Sequence, residues 1–234
     1  MSYGLREAWD AEADAWLAWA RRPGPTTYGR FHRDAFLAIV PGPAGLTLDL
    51  GCGEGRFSRE LQSRGHRVLA LDSSRRMARH AAREGRVWAV VTADAARLPL
   101  ADATVDLVVA FLSLHDMDDL AAAVAEVGRV LRSAGHFCLS VVHPLNSAGR
   151  FTADRPDAPF VIEDDYFVQR PYVEEAAVEG RRMTFHSVHR PLEALFDALA
   201  EAGLATEVLR EPRPHAGGRR DRLPSFLDLR ACRV

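Results

Sequence analysis

The sequence predicts a doubly wound α/β fold, a mostly parallel sheet with helices on both faces. Three observations carry that expectation. Between residues 46 and 143, short apolar runs of strand length alternate with helix-length amphipathic stretches, the rhythm of βαβ units in a buried parallel sheet. The first run, LTLDL, opens directly into the glycine-rich turn GCGEG, and open α/β sheets hold their ligands at such strand ends. At 234 residues the chain suffices for one sizeable domain and gives no sign of two.

Residues 1–40 read as a helical cap. Leu5, Trp9, Trp16 and Trp19 fall near one face of a helix over residues 5–20. RRPGPTTYGR breaks it, and RFHRDAFLAIV makes a second helix stopped by PGPAG. A core over residues 46–143 follows. LTLDL is its first strand, RFSRELQSRG a helix closed by Gly65, and HRVLALD the second strand. SRRMARHAAREG is a helix closed by Gly85, and RVWAVVTAD is the third strand. The loop AARLPLADAT leads into the fourth, VDLVVAFLSL. Asp118 or Asp119 caps the helix DLAAAVAEVGRVLRSAG, and HFCLSVVH is the fifth strand. Residues 144–190 break the rhythm with prolines, acids, aromatics and one expected strand, RRMTFHSV. A segment this long between a strand and a helix is uncommon unless functional, so it is expected to be a substrate lid. Residues 191–234 supply the helix PLEALFDALAEAG and the strands LATEVLRE and SFLDLRACRV, with a Pro/Gly/Arg loop between the strands.

Composition narrows the function classes. Apolar residues make up 47% and charged residues 26%, and the formal net charge of -2 gives no case for nucleic acid or an anionic membrane as partner. All 30 basic residues are arginine. That excludes a Schiff-base lysine and the lysine of a phosphate-binding P-loop. Cys52, Cys138 and Cys232 stand far apart without a CxxC pair, so neither a disulfide framework nor a zinc site is expected. The cluster HDMDD reads as helix capping rather than as a metal site. The N-terminus is acidic and Trp-bearing, unlike a signal peptide, and no apolar run approaches a membrane span. The expectation is a cytoplasmic protein, monomer or homodimer.

The glycine turn then poses the question of its ligand. Gly51, Gly53 and Gly55 alternate as GxGxG, and Arg56 stands where a dinucleotide fingerprint needs its third glycine. Two carboxylates, Asp49 and Glu54, flank the turn. Beside a pyrophosphate they would repel; beside a cationic ligand they would attract. S-adenosylmethionine carries an ammonium and a sulfonium and no phosphate, and its carboxylate can use loop amides at a helix N-terminus. Asp72, ending the second strand, can accept from both ribose hydroxyls. Asp94, ending the third, can accept from an adenine amino group beside small Ala95, with Met77 as an apolar wall.

On these residues the chain resembles the class I S-adenosylmethionine-dependent methyltransferases, through LDLGCGEG, LALDSS, ADAARLPLADATVDLVVAFLSLHDM and EVGRVLRSAGHFCLSVVHP. The resemblance is strong over residues 46–143 and looser beyond. It implies a Rossmann-like seven-stranded sheet whose last strand is antiparallel. It also implies cofactor contacts at Asp49, Gly51, Cys52, Gly53, Asp72, Ser73, Met77, Asp94 and Ala95, with Phe111 beside the methionine or adenine. The cofactor would be S-adenosyl-L-methionine and its product S-adenosyl-L-homocysteine.

Methyl transfer needs an aligned nucleophile, and for a hydroxyl or protonated amine a base helps. His143, directly after the fifth strand, and His115, just past the fourth, are the catalytic candidates. His186, His189 and Tyr172 of the insertion are expected at the substrate, Phe185 and His186 pointing to opposite sides of their strand. Tyr28 of the cap is expected near the substrate or the cofactor carboxylate. The reading is an O- or N-methyltransferase for a small organic molecule. A protein that binds the same cofactor without methyl transfer, as sensor or cyclase, stays open, and an NAD-dependent oxidoreductase is supported by Asp72 alone.

Overall fold

A computed structural model describes residues 4–22, 26–85, 87–178, 180–213 and 218–234. The expected cap, the third strand's Arg86 and the Pro/Gly/Arg loop therefore lie partly outside the described residues. The chain opens with α1 (Leu5–Ala20), a π-helical turn at Tyr28–His32 and α2 (Arg33–Leu37). The core is β1 (Leu46–Leu50), α3 (Arg56–Ser63), β2 (Arg67–Asp72), α4 (Arg75–Arg83), β3 (Ala89–Thr92), β4 (Val105–Phe111), α5 (Leu120–Val130) and β5 (Leu131–Val142). The insertion holds α6 (Pro144–Ala148), β6 (Gly149–Phe151), β7 (Phe160–Ile162), β8 (Arg170–Val178) and β9 (Arg181–His189). The chain ends with α7 (Leu192–Glu201), β10 (Leu204–Arg210) and β11 (Phe226–Arg233).

One seven-stranded sheet runs in the order β10-β11-β5-β4-β1-β2-β3. The last strand, β11, pairs antiparallel with β5 and β10, while the paired strands from β3 to β5 are all parallel. Leu48, Leu50, Val108, Ala110, Phe137 and Leu139 bury one face of the sheet against α5 and α7. Val68, Leu107, Val109 and Cys138 bury the other against Phe36 and Phe57 of α2 and α3. Alternation along each strand supplies both layers.

Register decides what stands at the carboxyl edge. Asp49 pairs with Ala70, and Asp72 with Thr92, so the ends of β1, β2 and β3 form a staircase facing one cleft. Strand order reverses between β1 and β4, which is where such folds bind ligands.

Two expectations need correction. The helix expected to run to Gly135 ends at Val130; Leu131 to Gly135 enter β5 through a bulge against β4, with Ala134 at φ 59°. A Cβ at Gly135 would lie 2.8 Å from the Arg132 carbonyl oxygen and 3.1 Å from that of Asp106, a close approach that glycine permits. The insertion carries two antiparallel ribbons rather than one strand, β6–β7 and β8–β9. PYVEEAAV hides its strand character behind adjacent acids, and its cross-strand partner β9 supplies the hydrogen bonds.

Candidate active site

The glycine turn is folded tightly against the end of β2. Leu71 O accepts from Gly51 N at 2.8 Å and from Cys52 N at 2.9 Å, and Asp72 Oδ2 accepts from Gly53 N at 2.8 Å. Gly51, Gly53 and Gly55 have φ of 73°, 55° and 83°. At Gly51 a Cβ would also lie 2.4 Å from Ser113 Cβ. Only glycine satisfies both conditions there. Gly55 then starts α3, whose N-terminus points at the turn.

Asp72 uses its second oxygen to accept from Ser74 N at 2.9 Å. Ser73 stands between them, and Ser74 caps α4 by accepting from Met77 N at 3.2 Å. Burial pushes the Asp72 carboxyl up to about 6, against the pull of those two amides. Met77 and Ala95 are buried, whereas Asp94 is exposed and turns back to accept from Ala96 N at 2.9 Å. The cofactor candidates thus converge on three adjacent strand ends.

Asp49 and Glu54 do not both face the cleft, contrary to expectation. Glu54 is buried and its carboxylate is taken by Arg59, at 2.7 and 3.0 Å, and by Arg21, at 3.1 Å. Asp49 is buried beneath the turn, accepts the Ser58 hydroxyl, and is pushed up to about 7 by burial. Neither offers the open negative charge that the sequence suggests.

The N-terminal helix lies across this cleft. The Leu5 amide donates to Asp118, Trp9 Nε1 to the His186 carbonyl, and Asp10 accepts the Ser74 hydroxyl at 2.5 Å. Trp16 Nε1 comes within 3.3 Å of where a Gly53 Cβ would stand. Phe185 of β9 meets Trp9, Trp16 and Trp19 edge-on, with centroids 5.9 to 6.4 Å away. On the opposite side Arg56 lies over the Tyr28 ring at 4.0 Å, and burial pushes the Tyr28 phenol up to about 12. Phe111 stacks on Phe57 at 4.6 Å and meets Tyr28 edge-on.

Beyond β4, Ser113 donates to Leu50 O at 2.6 Å, fixing a short 3-10 turn, Leu114–Asp116, against β1. His115 sits there, facing a small pocket under the β8–β9 ribbon. Leu120, Val141, Val142, Pro144, Val188 and Leu195 wall it, with His115, Tyr172, Ser147 and Arg190 as its polar groups. Burial and the nearby Arg190 hold His115 far down, at about 3, so its ring is neutral. Asp119 caps α5 and Asp118 meets α1, so two of the three acids of HDMDD are spent on structure.

The other histidines are placed differently. His143 caps α6, its Nδ1 accepting from Leu145 N at 3.2 Å, while Nε2 lies 3.2 Å from Glu211. Both ring nitrogens are engaged, which is the capping role rather than a poised base. His189 is buried, bridging Ser147 at 2.7 Å and the Tyr166 carbonyl at 2.8 Å. His186 contributes its carbonyl to Trp9, while the Phe185 ring takes the face toward α1. Sequence reasoning missed Trp16, Arg56, Asp116, Ser187 and Arg190. Arg56 follows the third glycine and Asp116 follows His115, so adjacency was their available signal; Ser187 and Arg190 had none before the ribbon was placed.

Residues 48–139 match a family model described as a methyltransferase domain. Over 89% of this chain and 98% of the other, the fold superposes on an S-adenosylmethionine-dependent methyltransferase from Mesorhizobium loti, with a TM-score of 0.73 and 26% identity. Residues 48–139 thus carry a methyltransferase domain, set in the fold of the S-adenosylmethionine-dependent methyltransferases. Among curated relatives, a malonyl-[acyl-carrier protein] O-methyltransferase of Hamiltonella defensa is 38% identical over 41% of this chain and 37% of its own length. A demethylmenaquinone methyltransferase of Thermobifida fusca is 37% identical over 47% of this chain and 49% of its own. The chain spans less than half the length of these two relatives.

The residues present fit the family's cofactor. Asp72 keeps lone pairs beyond its two amide bonds, and a carboxyl raised by burial gains from added donors such as a ribose diol. The three glycines leave bare backbone at the strand-to-helix turn. Among the described residues no helix is long and apolar enough to cross a membrane.

Proposed function

We propose that this protein transfers a methyl group from S-adenosylmethionine to oxygen or nitrogen of a small organic acceptor. The observation that carries the reading is the joining of two sites across the β4 end. The glycine turn and Asp72 lie on one side, and the apolar pocket with His115 and Tyr172 on the other. The bound cofactor supplies an electrophilic methyl on a sulfonium; the chain's residues hold it and present the acceptor.

In this reading Asp72 takes the ribose hydroxyls, Asp94, Ala95 and Met77 border the adenine, and the bare backbone of Gly51 and Gly53 lines the amino-acid end with Cys52. Arg56 and Tyr28 are disposed to meet the cofactor carboxylate. Asp49 acts from beneath the turn, holding Ser58 and the start of α3. The β8–β9 ribbon serves as the lid. The pocket beneath it encloses only about 30 Å³, the room of roughly one water, so an acceptor enters by displacing the ribbon. Five of its walls are branched aliphatics, which selects a mainly apolar molecule. His115 and Tyr172 line this pocket, whereas His143, His186 and His189 serve the frame around it.

Calorimetric titration with S-adenosylmethionine, with NAD as control, tests the reading. Stoichiometric binding of the former alone, followed by methylation of a hydroxyl or amine acceptor in a screen, is expected. Binding of NAD instead would overturn it.

A further inference from the structure

The turn after β4 and the β8–β9 ribbon meet around one largely enclosed carboxyl, that of Asp116. Asp116 accepts the Ser187 hydroxyl from β9. Ser187 is the cross-strand partner of Tyr172 on β8, and the Tyr172 phenol hydrogen-bonds to it. On its core side, Asp116 Oδ1 lies 3.5 Å from His115 Nε2. The other imidazole nitrogen, Nδ1, is closed off from solvent and has no partner, although the ring lines the pocket. Arg190, at the foot of the ribbon, donates to the carbonyls of His115 at 3.3 Å, Met117 at 2.6 Å and Asp118 at 3.2 Å. The turn is thus fixed from the lid side.

We infer that Asp116 is the positioning residue and final proton store of a relay, Nδ1 of His115 receiving the acceptor's proton while Nε2 passes its own to Asp116, and that the acceptor is a neutral molecule with an ionisable O–H or N–H. The inference rests on the methyl-transfer reading of this site. The balance is simple. The acceptor's O–H bond breaks, its electron pair stays on oxygen, and the proton bonds to Nδ1. The Nε2–H bond breaks in turn, its pair stays on the ring, and that proton bonds to an Asp116 oxygen. The imidazole ends neutral with its tautomer reversed.

Two physical arguments support the direction. The unpaired Nδ1 is a buried acceptor, and such groups are costly unless something donates to them. Burial also places the two partners in reversed order, with His115 at about 3 and Asp116 raised to about 8, so above that pH the ionised carboxylate is the stronger base of the pair and a proton delivered to Nδ1 ends with one on the carboxyl. The groups facing Asp116 are Ser187 and Tyr172 of the ribbon, Arg190 at its end, and His115 of the turn. With Asp116 ionised, its charge is balanced by Arg190, and the pocket holds no surplus positive charge for a carboxylate acceptor. Because Ser187 and Tyr172 belong to the lid, the relay is complete only when the lid is docked.

Nitrogen-15 NMR of protein labelled at histidine tests this without the cofactor. Above pH ~8, where Asp116 is ionised, the expected wild-type signature is a neutral His115 protonated at Nε2, with a shift that follows the Asp116 titration. Asp116→Asn, which offers an N–H where a carboxylate oxygen stood, should move the proton to Nδ1, and Ser187→Ala should move the tautomer ratio part of the way. Phenol as a probe should perturb Nδ1, and benzoate should not. A wild-type His115 protonated at Nδ1 above that pH, or a tautomer unchanged there in Asp116→Asn, would overturn the relay. Perturbation of Nδ1 by benzoate and not by phenol would overturn the acceptor class. Failure of S-adenosylmethionine to bind in the calorimeter would instead remove the methyl-transfer reading and leave the tautomer result standing.

Discussion

The decisive residue in the candidate cleft is Asp72, because its one carboxylate joins the glycine turn to the start of α4. Its oxygens hold Gly53 N and Ser74 N. A hydrogen bond to a charged group is worth about 1.5–3 kcal/mol, so Asp72→Ala should weaken S-adenosylmethionine roughly tenfold to a hundredfold in calorimetry. The same carboxyl predicts a proton linkage. Burial holds Asp72 at about 6 and Asp49 at about 7, and donors or positive charge from the ligand favour their ionised forms. Binding should release protons near neutrality and tighten as pH rises through that range. Titrations in buffers of different ionisation enthalpy measure the protons directly. Glycine substitutions separate turn geometry from crowding. Gly180→Ala, in the β8–β9 turn with φ 76° and nothing within 4 Å, carries only the backbone cost, about 1–2 kcal/mol. Gly51→Ala adds a collision with Ser113 and should lower Tm well beyond that, with loss of cofactor binding.

At the scale of elements, the contact between α1 and the β8–β9 ribbon organises both halves of the site. Phe185 is the shared ring, set among Trp9, Trp16 and Trp19. Aromatic pairs add about 0.5–1.5 kcal/mol each beyond their buried area, so Phe185→Ala should loosen the two elements together. Hydrogen exchange should rise in α1 and β8–β9 while β1, β2 and β4 keep their protection, since local opening follows the contacts an element makes. Equal loss of protection in the central strands would mean that α1 is part of the global core instead. Much of this level was legible beforehand. Helical and strand periodicity with glycine stops gave β1, α1, α4 and β9. The second ribbon strand was not legible, because Glu174 and Glu175 mask a β pattern that depends on β9 for partners.

For the whole molecule, three raised carboxyls and several lowered histidines set stability against pH. Asp49, Asp72 and Asp116 stand at about 7, 6 and 8, above their unfolded values. Between those values the folded state binds more protons, so their contribution is full at low pH and is lost as pH rises through 6 to 8. His66, His115, His143 and His189 are lowered by burial; their contribution is full above about 6.5 and is lost as pH falls below it. The two trends cross near pH ~6.5, where stability should be greatest, and urea unfolding at several pH values would show a decline on the alkaline side. Asp116→Asn should flatten that decline, and an unchanged alkaline slope would remove Asp116 from its cause.

By itself the sequence determined the alternation of strands and helices, the glycine turn, and the acids at three strand ends. Those features are local: periodicity, a left-handed backbone at Gly51, Gly53 and Gly55, and the position of a residue at the end of an apolar run. Only the tertiary structure decided which charges are free to act. Glu54 is spent on Arg21 and Arg59, His143 on a helix cap, and His189 on the frame of the insertion, while Asp116 meets Ser187 from a ribbon 71 residues away in the chain. The reason is physical. A side chain's chemistry follows from its partners and its burial, and both come from segments that meet only after the sheet has closed.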